Sequence, residues 1–434
     1  MRFAEHDGKY VAFTVFGTGP VDLLFVQSRF PIDLMWELPQ LASFAESLGR
    51  LARVIVFDSR GNGASDLVHP FTDASPMERG FDDLLAVLDA AESERPSILD
   101  FGGGVATVFA ATYPERVRSL IISNLRASYP ELQGLTEQQL SRMAFALRSE
   151  GHLRMEAPRL AHDPDLERWW GRATRLVSSH EQLVRNMQFA AKTDYSAVLP
   201  SLRLPTLVMH RRENRIWDIE SSRAAAALIP TATFVELSGS ESDLFLGDTS
   251  DVLQEIERFL HTPDISEVDN RALATVLFTD IVASTEQLAA TGDRAWRQLL
   301  DDHDRAAAHL VADYQGRIVK PTGDGILATF DVPARAVRCA RALLNAAADQ
   351  GITMRAGLHT GEIELRPSDV AGIAVHIASR ISSLAGPNEI LVSRTVVDLT
   401  AGSGLEFVPC SEHELKGVPG RWPLFNFTFA DAAP

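Results

Sequence analysis

Cysteine is nearly absent. Cys339 and Cys410 are the only two in 434 residues, and neither sits in a CxxC pair or near a cluster of metal-ligating side chains. That excludes a disulfide framework and a cysteine-rich zinc site, and it leaves two thiols of the kind a reducing compartment keeps free. Long apolar runs are missing too. No stretch approaches the roughly 18 residues that a membrane span requires, and the opening MRFAEHDGKY has no apolar signal core, so a cytoplasmic protein is expected. Basic residues are outnumbered: 41 Lys and Arg face 58 Asp and Glu, for a net charge of -17. A nucleic-acid partner needs a basic surface to displace counterions, and this balance argues against one. No GxxxxGK[ST] phosphate loop, internal repeat or low-complexity tract is present.

What is present is a chain too long for one core, with 45% hydrophobic and 23% charged residues, the composition of an ordinary globular protein. From residue 21, short β-rich runs alternate with amphipathic stretches: VDLLFV, RVIVFD, PSILDF, LIISNL, PTLVMH and TFVELS. This alternation predicts an α/β domain, a mostly parallel sheet with helices on both faces, over residues 1–260. The helically spaced segment from about 130 to 200 reads as an inserted helical cap. HTPDISEVDN, residues 261–270, loses periodicity and reads as a linker. From 271 to 434 the pattern changes. ATVLFTDIV, GRIVKPTGDGILATF and TMRAGLHTGEIE read as strands, while DRAWRQLLDDHDRAAAHLVADY and PARAVRCARALLNAAADQ read as helices. An α+β domain around a central antiparallel sheet follows.

Chemistry on phosphates without a phosphate loop needs another way to hold cations. Asp280 ends the apolar run VLFTD, and Asp324 lies between two glycines in TGDGIL, the composition of a hairpin turn. Antiparallel pairing would carry both carboxylates to one sheet edge, which suits two divalent cations, Mg or Mn, with substrate phosphates completing their shells. Taken singly, a GDG is a turn and an FTD is a strand end.

In order and spacing, FTDIVAST, KPTGDG and DVAGIAVHIASR resemble the catalytic domain of class III adenylate and guanylate cyclases, with a ferredoxin-like core, over about 160 residues. The resemblance implies that Asp280 and Asp324 are metal ligands, assisted by the backbone carbonyl of Ile281. It implies that Lys320 and Asp369 read the purine. An ammonium can donate to adenine N1 and a carboxylate can accept from the N6 amino group, whereas guanine reverses both polarities, so the pair selects ATP and the product is cyclic AMP. Arg380 matches the arginine that stabilises charge on the transferring phosphate. Where most members carry an asparagine, this chain has His376, on the same helix face as Arg380. Lys416 in HELKGVPG matches a lysine that reaches the triphosphate, with Arg366 a weaker candidate. In the family one subunit supplies the metal aspartates and the other the base-reading and transition-state residues, so a homodimer with two shared sites is implied.

The N-terminal strand order and RGNGASD resemble the α/β-hydrolase fold, whose nucleophile sits on a GxSxG elbow. Here the elbow reads Asp100-Phe101-Gly102-Gly103-Gly104, which puts Gly102 where the serine would stand. Asn214 holds the acid position and Ser242 the histidine position. All three roles are lost. Ser28, Asp218 and Glu241 lie near these positions without forming an elbow. A domain that keeps scaffold and cap without the chemistry is expected to act as a sensor for a small apolar or acyl ligand. A catalytically weak nucleotide-binding regulator and an esterase with a rearranged triad are the alternatives.

Overall fold

A computed structural model of the chain describes residues 1–68, 74–261, 270–367 and 369–428; most of the expected linker lies outside them. The chain divides near Asn270 into two units. The first is built on an eight-stranded sheet: β1 (Arg2–His6), β2 (Lys9–Phe16), β3 (Asp22–Val26), β4 (Arg53–Phe57), β5 (Ser97–Phe101), β6 (Ser119–Ser123), β7 (Thr206–Arg211) and β8 (Ala232–Leu237), in the order β1-β2-β4-β3-β5-β6-β7-β8. From β4 to β8 every pairing is parallel. All of these but the edge strand β8 are covered on both faces, which is why they read as apolar runs; Leu23, Leu24, Phe25, Ile121 and Ile122 are fully buried.

The hairpin β1–β2 is an antiparallel addition that the apolar runs did not signal. Asp7 and Gly8 turn it, both at positive φ (50° and 69°), as an Asp-Gly hairpin turn requires. The expected cap is helical. Its principal helices are Glu137–Leu147, Pro164–Val177 and His180–Lys192, N-capped by Thr136, Asp163 and Ser179.

The second unit holds β9 (Arg271–Ile281), β10 (Arg317–Pro321), β11 (Ile326–Phe330), β12 (Met354–Leu365), β13 (Val370–Ala371), β14 (Ile390–Ser393), β15 (Phe407–Glu414) and β16 (Arg421–Phe427). Their order is β10-β11-β9-β12-β14-β16-β15, with β13 paired to β12, and only β12–β14 is parallel. Alternation along β9 sorts its side chains between two layers. Leu277 and Ile281 enter the larger core with helices Asp293–Asp313 and Pro333–Asp349, while Ala274 and Val276 pack with Ala374 and Ala378 of helix Ile373–Leu384. Gly357 is required at this second contact, because a Cβ there would overlap the backbone of Ser382.

Candidate active site

Asp280 belongs to the even-numbered positions of β9, so it lies on the sheet face covered by helix Ile373–Leu384, one residue from the strand end. The β10–β11 hairpin delivers Asp324 to it. β11 runs antiparallel to β9, with Leu327 opposite Phe278, so the chain preceding β11 reaches the end of β9. The turn is closed by Thr322 N–H donating to the Gly325 carbonyl (2.8 Å), and Gly323 has φ of 98°. At Gly325 a side chain would collide with the Thr279 carbonyl, and the next N–H, of Ile326, donates to Thr279 Oγ1 at 3.1 Å. The glycine and the threonine therefore lock the turn against β9.

Asp280 and Asp324 come within hydrogen-bonding reach of each other. Burial raises the pKa of Asp280, and the adjacent Asp324 raises it further, against the opposing pull of Arg355. Two carboxylates sharing one place must hold a proton or a cation, and hard divalent cations prefer this oxygen donor set. The residues therefore fit a metal site. Ile281 buries its side chain in the larger core, which leaves its main chain at the same strand end as Asp280.

Arg355 is a residue of this cluster that the motifs did not single out. On β12 it stands directly opposite Asp280, donates from Nε to Asp280 Oδ2 at 2.8 Å, and makes a second, shorter contact from Nη2. The signal was available only as register: TMRAGLHTG had to be aligned against VLFTD to bring the two side chains together.

Lys320 and Asp369 meet as an ion pair, Nζ to Oδ2 at 2.6 Å, although 49 residues separate them. The sheet register is irregular between Ile318 and Lys320. Asp369 also accepts from the Val370 N–H at 2.8 Å, and the Lys320 ammonium first, then this bond, holds its carboxyl below the ordinary range. Both side chains remain accessible. His376 and Arg380 are exposed on helix Ile373–Leu384, away from its buried Ala374, Ile377, Ala378 and Ile381. Neither they nor the exposed Lys416, in the β15–β16 turn, make a hydrogen bond or ion pair among the described residues. Arg366 is turned to Glu364 at 3.1 Å.

In the first unit, β5 leads through Gly102 (φ 114°) and Gly103 (φ 85°) into helix Gly104–Thr112, the sharp strand-to-helix turn of a nucleophile elbow without a nucleophile. A Cβ at Gly102 would meet only Tyr129 Oη, at 3.9 Å, so the space for a side chain persists. Asn214 and Ser242 are neighbours: Ser242 Oγ lies 3.4 Å from Asn214 Oδ1, and Asn214 Nδ2 donates to Asn124 Oδ1 at 3.2 Å. The two residues expected at the acid and base positions are thus brought together, carrying an amide and a hydroxyl. Asp218 caps helix Ile219–Ala227 and Glu241 is paired with Arg211 at 3.4 Å, so both are spent structurally.

Residues 267–428 match the family model described as the adenylate and guanylate cyclase catalytic domain. The C-terminal unit is a class III cyclase domain. An adenylate cyclase of Streptomyces coelicolor is 32% identical to the chain over 137 residues, a stretch that covers 31% of this chain and 36% of that protein. The chain spans 20% to 36% of the length of three of the curated relatives it matches and 56% of others. Residues 34–249 match the alpha/beta hydrolase fold. Two solved structures share that fold with the N-terminal unit. An enol-lactonase from Burkholderia xenovorans is 20% identical, covering 60% of this chain and 100% of its own, with a TM-score of 0.50. An alpha/beta hydrolase from a deep-sea metagenome library is 15% identical, covering 62% and 100%, with a TM-score of 0.51. The cyclase domain therefore follows, in sequence, a unit with the α/β-hydrolase fold. No helix among the described residues is long and apolar enough to cross a membrane.

Proposed function

We propose that the chain is an adenylate cyclase that converts ATP to 3′,5′-cyclic AMP and pyrophosphate at a site shared between two copies. The observation that carries the choice of base is the accessible Lys320–Asp369 pair, 2.6 Å apart, which offers one donor and one acceptor side by side. Asp280, Asp324 and the Ile281 carbonyl would hold two divalent cations. Bound there, such cations supply an acidified ribose 3′-hydroxyl and charge neutralisation on the triphosphate. In the reaction the 3′-oxygen bonds to the α-phosphorus, the bond to pyrophosphate breaks, and the hydroxyl proton leaves to solvent. Arg355 fixes the orientation of Asp280 with its fork, as a guanidinium suits.

His376 and Arg380 lie on an exposed helix face with no partner among the described residues, which supports their service to the carboxylates of a second copy. Arg380 would stabilise charge developing on the transferring phosphate, and His376 would orient the ribose with a ring N–H. Lys416 would reach the triphosphate. The N-terminal unit, its hydrolase positions lost, would act as a ligand sensor for the cyclase.

Nucleotide assays by mass spectrometry test the reading: with Mg or Mn, cyclic AMP from ATP should exceed cyclic GMP from GTP. Asp280→Ala and Lys320→Ala chains, each inactive alone, should regain activity when mixed. Absence of recovery by two separately folded variants would refute the shared site.

A further inference from the structure

Arg355 serves Asp280 alone among the described residues. Both of its hydrogen bonds, one from Nε at 2.8 Å and one from Nη2, end on the same oxygen, Oδ2. Register sets this arrangement. β12 lies antiparallel to β9 with Arg355 opposite Asp280, and the Val282 N–H donates to the Thr353 carbonyl at 2.8 Å, which fastens the two strands just beyond the pair. A guanidinium can grip a carboxylate with one arm on each oxygen, but here both arms take one. A carboxylate oxygen offers about two acceptor positions, so Oδ2 is filled and Oδ1 is left to coordinate.

The side chains of Arg355 and Asp280 are 30% and 35% exposed, and an ion pair that open to solvent adds little to stability. Its larger effect is on what Asp280 can bind. A divalent cation drawn to Asp280 and Asp324 meets a fixed positive charge hydrogen-bonded to an oxygen it needs, and the repulsion scales with the double charge of the ion. To use Oδ2, the cation must part it from both N–H donors.

We propose that Arg355 competes with divalent cations for Asp280, and that it thereby sets the free cation concentration at which the two carboxylates fill. The inference rests on Asp280 and Asp324 being cation ligands, and it adds the residue that opposes their filling. Orientation of Asp280 by the same fork has the opposite sign, since it would tighten cation binding; the competition outweighs it.

Calorimetric titration of the nucleotide-free full chain with manganese chloride tests this, alongside melting temperatures in chelator and in manganese. Arg355→Gln and Arg355→Ala should each bind manganese at least about tenfold more tightly than the parent, and their melting temperatures should rise further between chelator and manganese. Arg355→Lys, which keeps the charge and loses the fork, should fall between parent and Arg355→Gln. Most of the gain from Arg355→Gln should disappear in an Asp280→Asn background, because the competition is for that carboxylate. Unchanged or weaker manganese binding by both Arg355→Gln and Arg355→Ala would overturn the proposal, and so would a gain that Asp280→Asn leaves undiminished. The cation site is read separately. If manganese binds the parent and Asp324→Asn weakens it, the site stands whatever the Arg355 variants do; if manganese binds no chain, or binds Asp324→Asn as well as the parent, site and competition fail together.

Discussion

Replacing Asp324 by Asn should stabilise the metal-free protein and disable the enzyme, and the two effects have one cause. Without a cation, Asp280 and Asp324 crowd each other, and burial together with that neighbour raises the pKa of Asp280. A carboxyl whose pKa is raised on folding binds its proton more tightly in the folded chain. Its contribution is therefore best at low pH and is lost as pH rises from the unfolded value through the folded one. At neutral pH the pair is a cost. Two like charges about 4 Å apart repel by about 1 kcal/mol in water and about 4 at an effective dielectric of 20. Asp280 is 35% exposed and Arg355 offsets part of the repulsion, so the lower end applies, about 1 kcal/mol. Asp324→Asn should then raise the calorimetric melting temperature of the cyclase unit by about 2–4 °C in a chelator. Excess manganese should reverse the order, because ligand binding to the folded state stabilises only the chain that keeps both carboxylates. Cyclic AMP formation by the variant should fall at least about a hundredfold. If Asp324→Asn melts lower than the parent in chelator while manganese still stabilises it fully, the pair is not a cation site.

Two further outcomes follow from the same structure. Gly325→Ala forces a methyl into the Thr279 carbonyl, so the hairpin must move off β9; activity should drop sharply, with about 1–3 kcal/mol lost in urea unfolding. Asp100, in the elbow, is buried, and burial pushes its carboxyl up to about 7. Stability from this group should fall between about pH 4 and pH 7, and Asp100→Asn should flatten that dependence and gain about 2–4 kcal/mol at neutral pH, measured by urea unfolding at both ends of the window.

Patterns confined to one segment were legible in the sequence. The buried parallel strands announced themselves as apolar runs because both of their faces are covered, and TGDGIL announced a turn because Gly323 needs positive φ and Gly325 allows no side chain. The hairpin β1–β2 carried its own signals, Asp7-Gly8 and the apolar residues of KYVAFTVF, but it precedes the strand–helix alternation that begins at residue 21. What could not be read was register. Arg355 becomes informative only when set opposite Asp280, 75 residues away, and Arg29 only when Glu156 and Asp243, 127 and 214 residues away, close on it. Periodicity along one strand says which face a residue takes and nothing about which residue it faces across the sheet.

The two units treat their carboxylates in opposite ways, and that contrast bears on where catalysis resides. Asp280, Asp324 and Asp369 are held by turns and strand ends within reach of solvent, where a substrate or cation can meet them. In the hydrolase unit Asp100, Glu156 and Asp243 are sealed in. Asn214 and Ser242, which the sequence reading sets at the acid and base positions, converge to 3.4 Å and carry no charge. Gly102 retains φ of 114°, a conformation that costs a residue with a side chain and that a nucleophile elbow imposes on its nucleophile. The turn geometry is thus carried by the backbone, and the presence of the fold alone does not supply a nucleophile at Gly102.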